Sequence, residues 1–256
     1  GRVLRTLAPL SGITPERAPV ALVYDWEARW ALEASAGPKK GAWGDRHTEA
    51  CMEHFRALRI AGVEVDIISV DADFSPYAVV VTPALYSLAG ETAQRLARYA
   101  AAGGAWVATY LTGYVDENNR CWRGGFPGPG LREVFGLWNE ELDNLHDDER
   151  VRVEGEIFGS AREAVAIDLV ERIHAEGARV LATAASDFHA GSPLVLRNAW
   201  GSGSATYVGA RLDEDGCVAF YESFVDELGL RRDRLPRGVV RKTRLGADGP
   251  VEFLFN

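Results

Sequence analysis

The residues of this chain that could do chemistry are few, and their spacing matters more than their number. There are three cysteines, Cys51, Cys121 and Cys217, and five histidines. No Cys-x-x-Cys and no His-x-x-x-His spacing occurs, so neither a structural zinc nor any other metal or cofactor is expected. Cys51 and Cys217 fall on the apolar faces of helical patterns and read as core. Cys121 lies in an Arg-Cys-Trp-Arg loop, away from any strand-to-helix turn that would expose a nucleophile. Ser186, Asp187 and His189 have the letters of a catalytic triad. Triad members converge from distant chain positions, so these three read as a turn. His47, His54 and His174 stand alone and read as surface or hydrogen-bonded helix histidines. Asp116-Glu117 and Asp147-Asp148-Glu149 are adjacent carboxylates that diverge in loops, which suits solvated or capping roles. Gly201-Ser202-Gly203 lies between two strand-like runs and reads as a hairpin turn, not a phosphate loop.

A site needs elements to position it. Val79 to Thr82, stopped by Pro83, is an apolar run that reads as a strand buried on both faces. The helical pattern Glu91 to Ala102 follows, with Ser87 as its expected N-cap, then Gly103-Gly104 and a second strand, Ala105 to Tyr110. Strand, helix and strand make a βαβ unit with a right-handed crossover. Ligands in such folds sit at the C-terminal strand ends. Val20 to Asp25 reads as the first strand of the set, and Val63 to Ile68 alternates like a sheet edge.

The segment from Trp26 to Asp45 reads as a long aromatic loop, with Trp26, Trp30 and Trp43 around a Gly37-Pro38-Lys39-Lys40-Gly41 turn. A second long loop runs from Thr112 to Gly130, and a short helix is expected from Leu131 to Phe135. Gly136 to Arg150 reads as an acidic loop. From Val151 onward the pattern becomes short strands and tight turns. These are Val151 to Val153, Ala166 to Ile173, Arg179 to Ala182, Leu194 to Leu196 and Ala205 to Val208. One amphipathic helix through Cys217, Phe220, Tyr221 and Phe224 closes them, with Gly229 as its cap. The last segment, from Val239, reads as a β-hairpin.

Bulk composition narrows the partners. The chain has 256 residues and a formal net charge of −9. Its pI near 5.2 argues against nucleic acid and anionic membranes. No run of eighteen apolar residues exists to span a bilayer. The start lacks the apolar core of a secretory signal. An odd, scattered set of cysteines fits a reducing compartment, so the expected location is cytoplasmic. Both ends look cut, as in a piece of a longer protein.

The strand ends therefore lack catalytic equipment: where an amidotransferase would place its cysteine, after Ala105 to Tyr110, the chain has Leu111-Thr112-Gly113. Aromatic loops are what remain, and tryptophan on loops is enriched at interfaces. The interface or cavity-lining candidates are Trp26, Trp30, Trp122, Asp116, Glu117 and Phe126. Trp106 and Trp200 sit in strand patterns and read as core.

Several of these segments, taken in order, resemble one family. They are Leu22-Val23-Tyr24-Asp25-Trp26-Glu27 with Trp30-Ala31-Leu32-Glu33, then Val80-Val81-Thr82-Pro83-Ala84-Leu85-Tyr86, then Tyr99 to Gly104. Thr112-Gly113-Tyr114-Val115-Asp116-Glu117-Asn118 and Gly124-Gly125-Phe126-Pro127-Gly128 complete the set. Together they look like the trimerisation domain of glycoside hydrolase family 42 β-galactosidases, from about Ala18 to Leu235. One departure is Arg29, where an aromatic commonly precedes Trp30. The resemblance implies an α/β fold, a flavodoxin-like or class I amidotransferase-like sheet of mostly parallel strands with helices on both faces. Short antiparallel strands would fill the second half.

It also implies a division of the chain. Residues 1–18 would be a linker from a missing upstream barrel, 19–235 the trimerisation domain, and 236–256 the truncated start of a C-terminal β domain. The implied partners are copies of the chain itself, as a homotrimer, and the catalytic barrel of the parent chain. That barrel would carry the retaining hydrolysis of β-galactosides, so no catalytic residue transfers here. Two alternatives stand beside this reading. One is an amidotransferase-like hydrolase with a displaced Cys121 nucleophile. The other is a small-ligand module at the strand ends near Asp25, Thr82 and Tyr110.

Overall fold

Alternation along the first strands decides the architecture. In β2 (Val20–Tyr24), Val20 and Leu22 enter one core while Ala21 and Val23 enter another. β4 (Val79–Thr82) and β5 (Ala105–Thr109) divide in the same way, with Val81 and Val107 on one side and Val80 and Trp106 on the other. A sheet buried on both faces must carry helices on both. The computed structural model describes residues 12–35, 45–128, 130–233, 235–236, 239–246 and 249–255. Helices α2 (Arg46–Ile60) and α5 (Glu214–Glu227) cover the first face through Cys51, Leu58, Cys217, Phe220 and Phe224. Helices α3 (Gly90–Ala101) and α4 (Leu131–Phe135) cover the second, where Phe135 packs 4.6 Å from the Trp106 ring.

The sheet is mixed, which corrects the expectation of mostly parallel strands. Among the described residues it has 11 strands. Parallel pairing joins β3 (Val65–Ser69), β2, β4, β5 and β11 (Gly203–Val208) in that spatial order. Antiparallel pairing continues through β10 (Pro193–Trp200), β9 (Arg179–Ala184), β7 (Val151–Gly155), β8 (Glu163–Ala175) and β12 (Ala210–Leu212). The reason is connection length: the later strands are joined by short turns, and parallel neighbours need a crossover of a dozen residues or more. β3 is the sheet edge, as its alternation implied.

Other expectations also change. Trp26–Ala34 is not a loop but a helix, α1, with Asp25 as N-cap accepting from the Ala28 N–H at 2.9 Å. Ala28 and Leu32, four residues apart, give it a buried stripe. Trp43 and the Gly37–Gly41 turn lie outside the described residues. Ser87 does not cap α3; that helix starts after Ala89 with no side-chain cap, and the Ser87 hydroxyl donates to the Asp116 carbonyl at 3.1 Å. The acidic segment after Gly136 is largely a strand, β6 (Leu137–Asn144), antiparallel to β8. Glu140 and Glu141 stay exposed while Leu137 and Asn139 turn inward, a half-buried pattern that the run of acids obscures.

Near the termini, β1 (Thr14–Pro15) pairs with β13 (Val240–Gly246), which forms a hairpin with β14 (Gly249–Phe255). The segment read as a linker thus supplies a third strand to the terminal hairpin. The Gly201–Gly203 turn joins β10 to β11 as expected. No described helix is long and apolar enough to cross a membrane.

Candidate functional site

The C-terminal ends of β2, β4 and β5 meet at one edge of the sheet, where an α/β fold would place a ligand. The chain leaves β5 through Leu111, whose φ of 64° is left-handed. L-residues with a side chain rarely hold that conformation, and strained turns of this kind expose nucleophiles in hydrolases. Here the strained residue is an inert leucine, 3% exposed. Ala84, which follows Pro83 after β4, is also left-handed, at φ 42°. The Thr109 hydroxyl accepts from the Ala84 N–H at 2.8 Å and ties the two ends together. The Thr112 hydroxyl donates to the Thr109 carbonyl at 2.7 Å. The elbow is built, and it carries no reactive group.

Side chains of the protein itself fill the space at this edge. Leu32 from the inner face of α1 packs with Ala50, Ala84, Tyr110, Leu111 and Leu169 in one buried cluster. Deeper in lies Glu171 of β8, fully buried. Its Oε1 accepts from the Leu111 N–H at 2.8 Å and from the Tyr114 hydroxyl at 2.9 Å. Its Oε2 accepts from the Asn139 side-chain amide at 3.1 Å, and Tyr207 adds a further side-chain hydrogen bond. Burial drives the Glu171 carboxyl above its usual range, and these donors pull it back. Its neighbours Tyr114 and Tyr207 are pushed well above the phenol range, by burial first and by the nearby carboxyl second, and so remain donors. The elbow N–H that could have steadied a developing oxyanion is therefore occupied by an internal acceptor.

A second charged group sits beside Tyr110. Arg46 of α2 and Arg211 of β12 both pair with Asp168, and Arg211 also pairs with Glu53. Burial lowers Arg46 and the Arg211 charge lowers it further, so Asp168 between them is what lets two guanidiniums share the site. This cluster locks α2 to the antiparallel half of the sheet.

The candidate residues divide between two places. Trp26 and Trp30 lie on the outer face of α1, 53% and 54% exposed, with ring centroids 6.0 Å apart. They are offset by two residues, about 200° around the helix, from Ala28 and Leu32. Arg29 lies over the Trp26 ring at 5.2 Å and pairs with Asp45 at 2.9 Å. Phe126 and Trp122 belong to the second long loop. Phe126 stacks on Tyr114 at 4.1 Å with an interplanar angle of 4°, and Tyr114 stacks in turn on Tyr86 at 6.1 Å. The Tyr86 hydroxyl accepts from Ser35 at 3.1 Å, which links this stack to the end of α1. Trp122 lies so close to Gly128 that a Cβ there would come within 2.6 Å of it. Asp116 folds its own loop, accepting from the Asn118 and Arg120 N–H groups at 2.9 Å; these backbone bonds hold its carboxyl below the usual range. Glu117 is exposed.

The alternative site residues are occupied elsewhere. Cys121 is an exposed free thiol whose backbone pairs with that of Val115 in an isolated β-bridge, and among the described residues no histidine or carboxylate bonds to it. Asp25 caps α1, Thr82 accepts from the Trp106 indole N–H at 2.9 Å, and Tyr110 is buried. His189 contacts Asp143 at 2.9 Å, and neither Ser186 nor Asp187 bonds to it, so the triad letters do not converge. Among the described residues no group of three or more His, Cys, Asp or Glu could hold a metal. Sequence reasoning missed Glu171 as the centre of this edge. The signal was an acid that the two-residue period of the strand places on the same inward face as Leu169 and Ile173, a burial that only paired donors can sustain.

Comparison with known proteins bears on the same region. Residues 18–231 match the family described as the β-galactosidase trimerisation domain. The β-galactosidase Pbg of Clostridium perfringens is 38% identical over 261 residues, which cover 100% of this chain and 37% of that protein. The β-galactosidase BglY of Alicyclobacillus acidocaldarius is 38% identical over 260 residues, covering 99% and 37%. Among solved structures, the β-galactosidase from Rahnella sp. R3 superposes with a TM-score of 0.92 at 38% identity, covering 100% of this chain and 38% of that one. This chain thus spans little more than a third of the length of the curated relatives it matches.

Proposed function

This chain belongs to the β-galactosidase trimerisation-domain family, and from that premise we propose that it is a non-catalytic assembly module. It joins copies of itself into a homotrimer and holds them around the reactive barrel of a parent β-galactosidase. Retaining hydrolysis of terminal β-galactosides belongs to that barrel. The cytoplasm is the compartment this reading assigns, in keeping with three free thiols.

The observation that carries the reading is the contrast across α1. Its inner face seals a strand edge that has no reactive group, while its outer face presents two indoles to solvent. Large aromatic residues with half their surface exposed are characteristic anchors of protein interfaces. A closed three-fold ring is heterologous, so the Trp26 and Trp30 patch of one copy meets a different patch on the next. The test is the mass of the purified chain by light scattering across a concentration series. Three times the 27.9 kDa chain mass, or a rise toward it with concentration, is the expected result. A strict monomer at the highest concentration would remove the proposal, as would turnover of a substrate by the chain alone.

A further inference from the structure

His47 is 1% exposed, at the start of α2. Its two ring nitrogens face backbone groups of opposite character. Nδ1 lies 3.2 Å from the Ala84 carbonyl, which can only accept. Nε2 lies 3.2 Å from the Asp25 N–H, which can only donate. These partners fix a neutral imidazole with its hydrogen on Nδ1. The Cys51 thiol, 3.7 Å from Nε2, donates instead to the Val23 carbonyl and does not compete.

Both partners sit at structural pivots. Asp25 is the N-cap of α1, so its position sets where that helix begins. Ala84 is the left-handed residue after β4. The Tyr24 ring lies 5.2 Å from the His47 ring and 5.3 Å from the Trp26 ring, which connects the histidine to the exposed face. A second proton on the ring would turn Nε2 into a donor facing the donor of Asp25. The bond would become a repulsion, and a buried N–H would lose its acceptor.

We propose that His47 is a pH-sensitive latch for α1: neutral, it pins the helix to the strand ends; protonated, it lets the helix go. As a regulator of the assembly surface it rests on the proposed function, but the latch itself does not. The groups facing it are Tyr24 from β2, Asp25 at the N-cap of α1, Arg29 from α1, Asp45 at the N-cap of its own helix, Cys51 one turn along it, and the Ala84 backbone. Burial lowers its pKa and Arg29 lowers it further, while the Ala84 bond and Asp45 oppose the shift; the net direction is down from 6.5. A base with a lowered folded pKa contributes fully above its unfolded value. It loses that contribution as pH falls from 6.5 toward the folded value. Release is therefore an acid response.

Self-association alone is a poor readout, because the chain approaches its pI near 5.2 over the same range. Hydrogen–deuterium exchange of residues 25–35 reads the latch directly. After correction for intrinsic exchange, protection should fall about tenfold between pH 7.5 and pH 5.5 while α3 stays protected. His47→Gln, which supplies an acceptor and a donor without a titrating ring, should abolish the change. A pH-independent α1 in the native sequence overturns the latch. So does an undiminished response in the glutamine variant, which would assign it to Asp25 or Asp45. Should that variant fail to fold, 15N chemical shifts of His47 in the native chain decide. A bare Nε2 at pH 7.5 supports the latch, and a hydrogen on Nε2 overturns it. A monomeric mass would refute the assembly reading and leave these readouts in force.

Discussion

The two halves of the central sheet face the same edge with opposite consequences. In the parallel half, β2, β4 and β5 end side by side, and the turns beyond them gather left-handed residues, hydroxyls and backbone N–H groups that side chains rather than neighbouring strands satisfy. That is the raw material of an active site. In the antiparallel half, successive strand ends point in opposite directions, so no comparable edge forms. What this half contributes is one long strand, β8, whose Glu171 reaches the elbow of the parallel half and accepts its N–H. The comparison teaches that the elbow at this edge is occupied by the protein's own side chains. The elbow geometry persists at Leu111, while α1, Glu171 and the leucine itself take the space and the hydrogen bonds that chemistry would need.

The contrast breaks most visibly at Glu171. Glu171→Ala leaves the Leu111 N–H, the Tyr114 hydroxyl and the Asn139 amide facing a cavity, and should destabilise the fold by roughly 3–5 kcal/mol. Glu171→Gln keeps the shape and should cost roughly 1–2 kcal/mol. Urea unfolding of both beside Glu117→Ala, an exposed control, checks the order. An alanine variant as stable as the control would mean that the two halves are not coupled there.

Next in size is a pH effect on the face shared by α2 and α5. His54 is buried, 2.7 Å from the Tyr221 hydroxyl, and burial lowers its pKa to about 4. Because the unfolded chain binds the proton more readily, stability should fall by about 3 kcal/mol as pH drops from 6.5 toward 4. His54→Gln should flatten that part of the stability–pH curve. A curve of unchanged slope in the variant would place the acid sensitivity elsewhere.

The outer face of α1 sharpens the comparison from the other side. Replacing both Trp26 and Trp30 with alanine should change stability by less than ~1 kcal/mol, since neither ring is buried. Self-association, measured by sedimentation, should weaken by about 2 kcal/mol, or ~30-fold. Loss of stability without loss of association would move the interface away from this helix. The smallest effect is expected at Ala84. Glycine accepts its left-handed conformation freely, so Ala84→Gly should be neutral or stabilising by up to ~1 kcal/mol, read from thermal unfolding. A clear destabilisation would show that the methyl group's packing outweighs the strain.

Much of this was legible in the chain itself, for a local reason. The strands Val79 to Thr82 and Ala105 to Thr109, the short helix after Gly130 and the Gly201–Gly203 hairpin each carry their signal within a few residues. The missing cysteine at the elbow was also plain, because that position is counted from the end of β5. Less legible was α1, whose Ala28 and Leu32 stripe is half hidden among tryptophans that suggested a loop. β6 was masked by its acids, because the adjacent exposed pair Glu140 and Glu141 at a register shift breaks the alternation that marks a strand.

What the chain alone determined is that Leu111-Thr112-Gly113, and no cysteine, follows the end of β5, since the elbow position is counted along the sequence and no fold can change the residue there. It also determined the parallel βαβ core and the choice of aromatic residues in the loops that follow. Only tertiary structure decided what fills the edge and which tryptophans face outward. Glu171, Asn139 and Tyr207 come together from three different strands. The acid is tolerable only because partners remote in sequence donate to it. Whether Trp26 or Leu32 turns inward depends on what α1 lies against. Sequence spacing gives a helix its two faces, and the neighbour it packs on chooses between them.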